Sequence, residues 1–387
     1  MTGEACHHGS TPFDIPMNSA RPLLAGTLTA IFACASLTPA SAQAPKHQEQ
    51  AAEVMSYIQE HFWDRKSGLY MSKADGKEPE LIWGAGVMFS AVVAAARHDK
   101  EYRSVMRKFF EAMDAYWDTK VKIPGYEPAR TQGGNDKYYD DNAWMVLTFL
   151  EAYEQTGESR YLKRAEEVLE FVISGWDDKA GGGIYWHEQH KGNGKNTCAN
   201  APAALGCFRL ARFKKDPDAA KWNAEGEKIT VWTVKTLQGE NGLFWDNIDV
   251  TTGNINKGQL TYNSALMLRN FISLHTRTGQ QFYLDEALRV GKAANSFLGG
   301  DGVYRDPIKW SHLQVEADLE LWRKTGEDYL KQRAIKNVEG HYEAWKKQPY
   351  GDLISEGSLA RELWLLVDHE TPAGREFWKK SDTAKAK

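Results

Sequence analysis

The 387 residues carry a net charge of −4, with 42% hydrophobic and 26% charged side chains. That balance, with no Lys/Arg run, excludes a nucleic-acid binder built on a basic surface and allows two ordinary domains or one large repetitive one. The chain also holds 14 Trp, 16 Tyr and 15 Phe, enough to fill a core and leave aromatic surface that stacks on flat ligand faces such as sugar rings.

In chain order, the first element is a processing segment. Residues 1–16 are polar, and Met17 is the better start. From there "MNSARPLLAGTLTAIFACASLTPASAQA" offers Arg21, an apolar run from Leu23 and a small-residue cleavage pattern at Ala40-Ser41-Ala42. The run is too short to span a membrane. Phe32-Ala33 before Cys34 and the later cleavage site argue against lipidation at that cysteine. The expectation is an extension and signal peptide over 1–42, and a periplasmic or secreted product with no stable membrane insertion. Cys198 and Cys207 would remain, either as a disulfide or as two buried thiols. No Cys/His spacing resembles a zinc site.

From residue 47 a two-helix unit recurs. "SGLYM" at 67, "GGIYW" at 182, "NGLFW" at 241 and "DGVYR" at 301 share a Gly-aromatic phrase, with weaker forms "PGYEP" at 124 and "YGDLI" at 350. A second phrase, Thr-Gly followed by a Tyr-marked amphipathic helix, begins at 156, 278 and 325, and "HDKEYRSVMRKFFEAMDAYW" at 98 belongs with it. Between them run "GAGVMFSAVVAAA", "AWMVLTFLEAY", "APAALGCFRLA" and "YNSALMLRNFISL", which are apolar or small over most of their surface and therefore buried. Six amphipathic helices alternating with six buried ones predict an all-α (α/α)6 toroid, an inner ring inside an outer ring. An open solenoid would not bury one helix of every pair so fully. The toroid is expected to fill 43–375 as a single domain and a monomer, with a polar tail over 376–387.

Alternation makes the inner helices parallel, so their N-termini share one mouth. The residues there are Trp83, Asp140-Asp141, Asn200, Tyr262-Asn263, Ser311-His312 and Ser355-Glu356. Asp is an ordinary helix starter, so Asp140-Asp141 alone reads as a cap. A cap needs only one carboxylate, however, and Tyr138, Tyr139 and Trp144 surround the pair. Two carboxylates suit glycosidic cleavage, one attacking the anomeric carbon and the other protonating the leaving oxygen; a spacing of about 5 Å gives retention. Repulsion between them keeps one protonated. Asp177-Asp178 beside "KAGGG" reads as a turn. His187, His190 and His275 read as surface or capping residues, and His312 is the histidine best placed for function. Trp83, Trp186, Trp245 and Tyr262 are mouth aromatics, split between stacking and packing, and Asn200 and Asn263 are split between sugar contacts and capping.

"YYDDNAWMVLTFLEAYEQTG", "KNTCANAPAALGCFRLAR" and "LTYNSALMLRNFISLHTRTG" resemble, in order, the motifs of glycoside hydrolase family 76, the endo-α-1,6-mannanases. The resemblance covers essentially the mature chain. It implies a retaining enzyme without metal or cofactor, with Asp140 as nucleophile and Asp141 as acid/base. Tyr139, Asn142, Trp83, Trp186, Asn200, Tyr262, Asn263 and His312 become the candidate contacts to an α-linked glycan. The chain departs from the family at Tyr262-Asn263-Ser264-Ala265, where mannanases carry Tyr-Asn-Gln-Gly, and at "RDPIKWSHLQVEADLELW", where they carry a Lys-Gly segment and a downstream Arg. Rival readings are a histidine-based sugar epimerase or isomerase on the same toroid, a transglycosylase, and a non-catalytic glycan binder.

Overall fold

The computed structural model describes residues 45–383 apart from 132, 135 and 190–193. The expected leader over 1–42, His190 and the last four residues lie outside the described residues.

Helix ends follow from local chemistry repeated three times. After α4 (Tyr139–Thr156), α8 (Thr261–Thr278) and α10 (Ile308–Thr325), Gly157, Gly279 and Gly326 adopt left-handed φ of 70°, 70° and 76°, a region closed to most side chains. The preceding Thr donates its hydroxyl one turn back and accepts the backbone N–H two residues on, as in Thr156 to Ala152 O (2.7 Å) and Glu158 N to Thr156 Oγ1 (3.2 Å). The Thr-Gly phrase is thus a compact reversal, and it sends the chain outward into the next helix.

The remaining inner helices are α2 (Ile82–His98), α6 (Thr197–Ala211) and α12 (Leu353–Glu370), and the outer ones are α1 (Lys46–His61), α3 (Glu101–Ala112), α5 (Ser159–Ile173), α7 (Asp218–Leu237), α9 (Gln281–Ala293) and α11 (Asp328–Lys347). Around the inner ring, α2 packs on α4, then α6, α8, α10 and α12 follow, and α12 returns to α2. Each of α3, α5, α7, α9 and α11 packs on the inner helix before it, and α1 packs on α12. This is the closed (α/α)6 toroid. A thirteenth helix, α13 (Pro372–Thr383), packs on α12 and buries Trp378, whose indole donates to Asp368 Oδ2 at 2.9 Å. Most of the stretch read as a polar tail is therefore helical, because Trp378 has apolar surface to bury.

The Gly-aromatic phrases form two short antiparallel pairs, β1 (Trp63–Asp64) with β2 (Leu69–Tyr70) and β3 (Trp117–Asp118) with β4 (Gly125–Tyr126), plus single bridges at Ile184, Phe244 and Tyr304. A three-stranded sheet, β5 (Lys195–Asn196), β6 (Trp245–Ile248) and β7 (Ile255–Gln259), joins the loop before α6 to the one before α8.

Deep among the inner helices lies a buried lattice of ion pairs. Arg361 of α12 bonds Glu151 of α4 at 2.7 Å and Glu316 of α10 at 3.1 Å. Glu151 also meets Arg97 of α2 (2.9 Å), and Glu316 meets Arg269 of α8 (3.1 Å). Arg209 of α6 reaches Glu154 of α4 at 3.0 Å. Every inner helix contributes a charge, and each charge has an opposite partner, as burial demands.

Candidate active site

Neither aspartate caps α4. The N-cap is Tyr138, with extended backbone and no side-chain cap bond. The segment before α4 instead pairs with residues 186–188: Tyr139 N–H donates to Trp186 O at 2.8 Å, and Glu188 N–H to Lys137 O at 2.9 Å. This pairing swings the Trp186 indole over the first turn, where its Nε1–H donates to Asp140 Oδ2 at 2.9 Å. Trp186 stays 39% exposed, so its ring offers open stacking surface while one edge holds a carboxylate.

The second residue of each inner helix sits at one level of the mouth: Trp83, Asp140, Cys198, Tyr262, Lys309 and Ile354. Cys198 Sγ lies 3.5 Å from Asp140 Oδ2 as a donor, and the Tyr262 hydroxyl bonds the same sulfur. Tyr262 is half-buried, with its ring 6.3 Å from that of Trp310.

The two carboxyls differ in surroundings. Burial and then the negative charge of Asp140 push Asp141 well above the ordinary carboxylate range. Burial also raises Asp140, but the Trp186 indole, the Asp141 backbone N–H and the Cys198 thiol favour its ionised form. The surroundings thus favour the proton on Asp141 over Asp140, an asymmetry that suits an acid beside a nucleophile.

The fourth position of α4 and of α6 has a different task, and it corrects two expectations. Asn142 Oδ1 accepts the Tyr126 N–H (2.8 Å) while its Nδ2 donates to Tyr126 O (3.0 Å) and Tyr138 O (2.7 Å). Asn200 repeats this with Ile184 N–H, Ile184 O and Asn196 O, all at 2.8 Å. Both amides are spent clamping the preceding Gly-aromatic loop, so neither faces a glycan. Tyr139 is also turned inward, with its ring stacked on Phe171 at 4.9 Å. Asn263 is wholly enclosed, with neither amide atom bonded to the protein.

His312 lies one turn below the mouth and is 1% exposed. Its Nδ1 bonds Ile308 O at 3.1 Å, its ring lies edge-on to Trp144 at 5.8 Å, and burial lowers its pKa to about 4. A neutral, enclosed imidazole does not serve the histidine acid/base chemistry of an isomerase. Cys198 and Cys207 are free thiols; nine residues along one helix put them about 13 Å apart, beyond disulfide reach. Asp177 accepts from Lys179 N–H (3.0 Å) and from the buried Lys195 Nζ (2.7 Å), holding a turn.

Sequence reasoning missed Cys198 as a neighbour of Asp140, Asp246 of β6, which faces Cys198 and Tyr262 electrostatically, and Glu80. Aligning the inner-helix starts by repeat would have found Cys198, since it occupies the register of Asp140 and Tyr262. Glu80, just before α2, is buried, accepts the Leu81 N–H at 2.7 Å and is pushed by burial up to about 7. Among the described residues no group of three or more His, Cys, Asp or Glu could hold a metal ion, and no helix is long and apolar enough to cross a membrane. A cavity of about 520 Å³ opens at the other end of the ring, lined by Arg209, Arg269, Arg323 and Trp378. It does not reach the carboxylates.

The closed ring has counterparts. The GH76 α-mannanase of Bacteroides thetaiotaomicron superposes with a TM-score of 0.79 at 21% identity, covering 84% of this chain and 96% of that one. An inactive doubly aspartate-substituted variant of the α-1,6-mannanase GH76A of Salegentibacter, solved with α-1,6-mannotriose, superposes with a TM-score of 0.70 at 22% identity, covering 82% and 98%. The Schizosaccharomyces pombe meiotically up-regulated gene 191 protein is 28% identical over 205 residues, 48% of this chain and 44% of that one. This chain spans less than half the length of the curated relatives it matches. The profile of Glycosyl hydrolase family 76 matches residues 46–334, and the chain belongs to that family.

Proposed function

We propose that the chain is an exported, monomeric, retaining glycoside hydrolase of endo type that cleaves α-mannosidic linkages, by default those of α-1,6-mannan. The observation that carries this reading is the unlike pair at the mouth: Asp140 accepts the Trp186 indole N–H at 2.9 Å, while burial and the Asp140 charge push Asp141 well above the carboxylate range. In the first step the Asp140 carboxylate attacks the anomeric carbon. The bond to the leaving oxygen breaks, and Asp141 gives that oxygen its proton. In the second step Asp141, now ionised, takes a proton from water as the water oxygen attacks the same carbon and frees Asp140. Inversion twice gives net retention. Trp186, Trp83 and Tyr262 supply aromatic surface for sugar rings. The leader over 17–42 accounts for export, and the toroid together with its packed α13 forms the catalytic domain. The Salegentibacter relative, crystallised with α-1,6-mannotriose, motivates the choice of glycan.

The test is cleavage of α-1,6-linked mannan oligosaccharides with product analysis. Asp140→Asn and Asp141→Asn should each lower kcat by about 10³ or more while far-UV circular dichroism stays unchanged. Near wild-type turnover in either variant would overturn the assignment.

A further inference from the structure

Cys198 has no role in the two-carboxylate chemistry, yet its thiol sits against Asp140. It opens α6 from the second position, the register held by Asp140 in α4 and Tyr262 in α8. Its Sγ is 3.5 Å from Asp140 Oδ2, the oxygen that also accepts the Trp186 indole N–H. The thiol is 8% exposed and bonded to the Tyr262 hydroxyl on its far side. The three side chains form a line across the starts of three consecutive inner helices.

We propose that Cys198 is a positioning residue for the Asp140 carboxylate, acting through a hydrogen-bond chain from Tyr262 O–H to Cys198 Sγ and from Cys198 S–H to Asp140 Oδ2. Trp186 reaches the same oxygen from a loop and is partly exposed, whereas Cys198 and Tyr262 are fixed in the walls of the ring. The helix-borne chain therefore adds a second constraint on carboxylate orientation beside the shorter indole bond. Burial and the neighbouring Asp140 charge keep the thiol protonated, so it remains a donor. A thiol is a weak donor, and its contribution is correspondingly modest.

This inference rests on the proposed role of Asp140, and the experiment separates the two. Cys198→Ala should lower kcat on α-1,6-mannan oligosaccharides about tenfold with KM little changed, and raise the acidic limb of the kcat/KM profile by about half a pH unit. Cys198→Ser, which keeps a donor, should stay within about threefold of wild type. Unaltered kcat and acidic limb in Cys198→Ala would overturn the proposal. A second readout needs no turnover: the pH dependence of Cys198 labelling by methyl methanethiosulfonate. Asp140→Asn removes the facing charge and should shift that profile to lower pH. An unshifted profile overturns the hydrogen-bond chain even in an active enzyme. A shifted profile in a protein that cleaves no mannan supports the chain and overturns the mannanase reading instead.

Discussion

Glu80 shows how one carboxyl at the mouth couples charge to stability. It is buried beside the start of α2, with burial lifting it from 4.5 to about 7. A raised folded-state pKa means the folded protein binds the proton more tightly than the unfolded chain. Stability from this group is therefore full below about pH 4.5 and is lost as pH rises towards 7. Glu80→Gln should gain stability over wild type by up to about 3 kcal/mol at pH 8 and show almost no gain at pH 4; urea unfolding at the two pH values measures this. At this scale the sequence was legible where chemistry is dense and misleading where it is shared. Asp140-Asp141 stood out because two adjacent carboxylates exceed what a cap needs. Asn142 and Asn200 looked equally suited to sugar hydroxyls, but an amide suited to a hydroxyl is equally suited to a peptide group. Their identical positions in the repeat were the clue that both serve the loops.

Helices were the most readable level, for two local reasons. The Thr-Gly phrases encode a left-handed residue and a hydroxyl that meets loose backbone groups, and the all-round apolar stretches admit no solvated face. What periodicity did not reveal was the buried ion lattice, since Arg97, Glu151, Arg269, Glu316 and Arg361 each look like the polar remainder of an inner helix. They are buried because their partners are on other helices, which a one-dimensional pattern does not pair. The β6–β7 hairpin escaped for a related reason, as its alternating residues are half-buried or exposed and bury no apolar face. Arg361→Met should cost about 3–5 kcal/mol by leaving Glu151 and Glu316 short of a cation, read as a lower urea midpoint at pH 7. Glu316 is held down at about 2 by Arg269 and Arg361 against the cost of burial. Its depressed pKa contributes stability that is present above about pH 4.5 and lost as pH falls towards 2. The penalty in Arg361→Met should accordingly shrink over that acid range.

For the whole molecule, the repeat predicted six helix pairs, but it did not say how the last would be completed. Five outer helices follow the inner helix they cover. The sixth, α1, comes from the other end of the described chain and covers α12, with His47 bonded to Glu370 and Lys46 to Glu339. The seam is thus stitched by helices far apart in the sequence, His47 of α1 lying 323 positions from Glu370 of α12, and its register could not be read locally. One consequence is that the order of the pairs is cyclic, and the opening between α12 and α1 is only one of several possible cuts in the ring. A circular permutant that joins the old ends through a flexible linker and opens at the Gly279–Gln280 reversal should keep a single cooperative thermal transition. In such a chain α1 would come after α12, α13 and the linker, bringing the α1–α12 seam much closer in sequence while the α8–α9 and α8–α10 contacts become the long-range ones. Because one seam replaces another, refolding after denaturant dilution should stay within about tenfold of the parent rate.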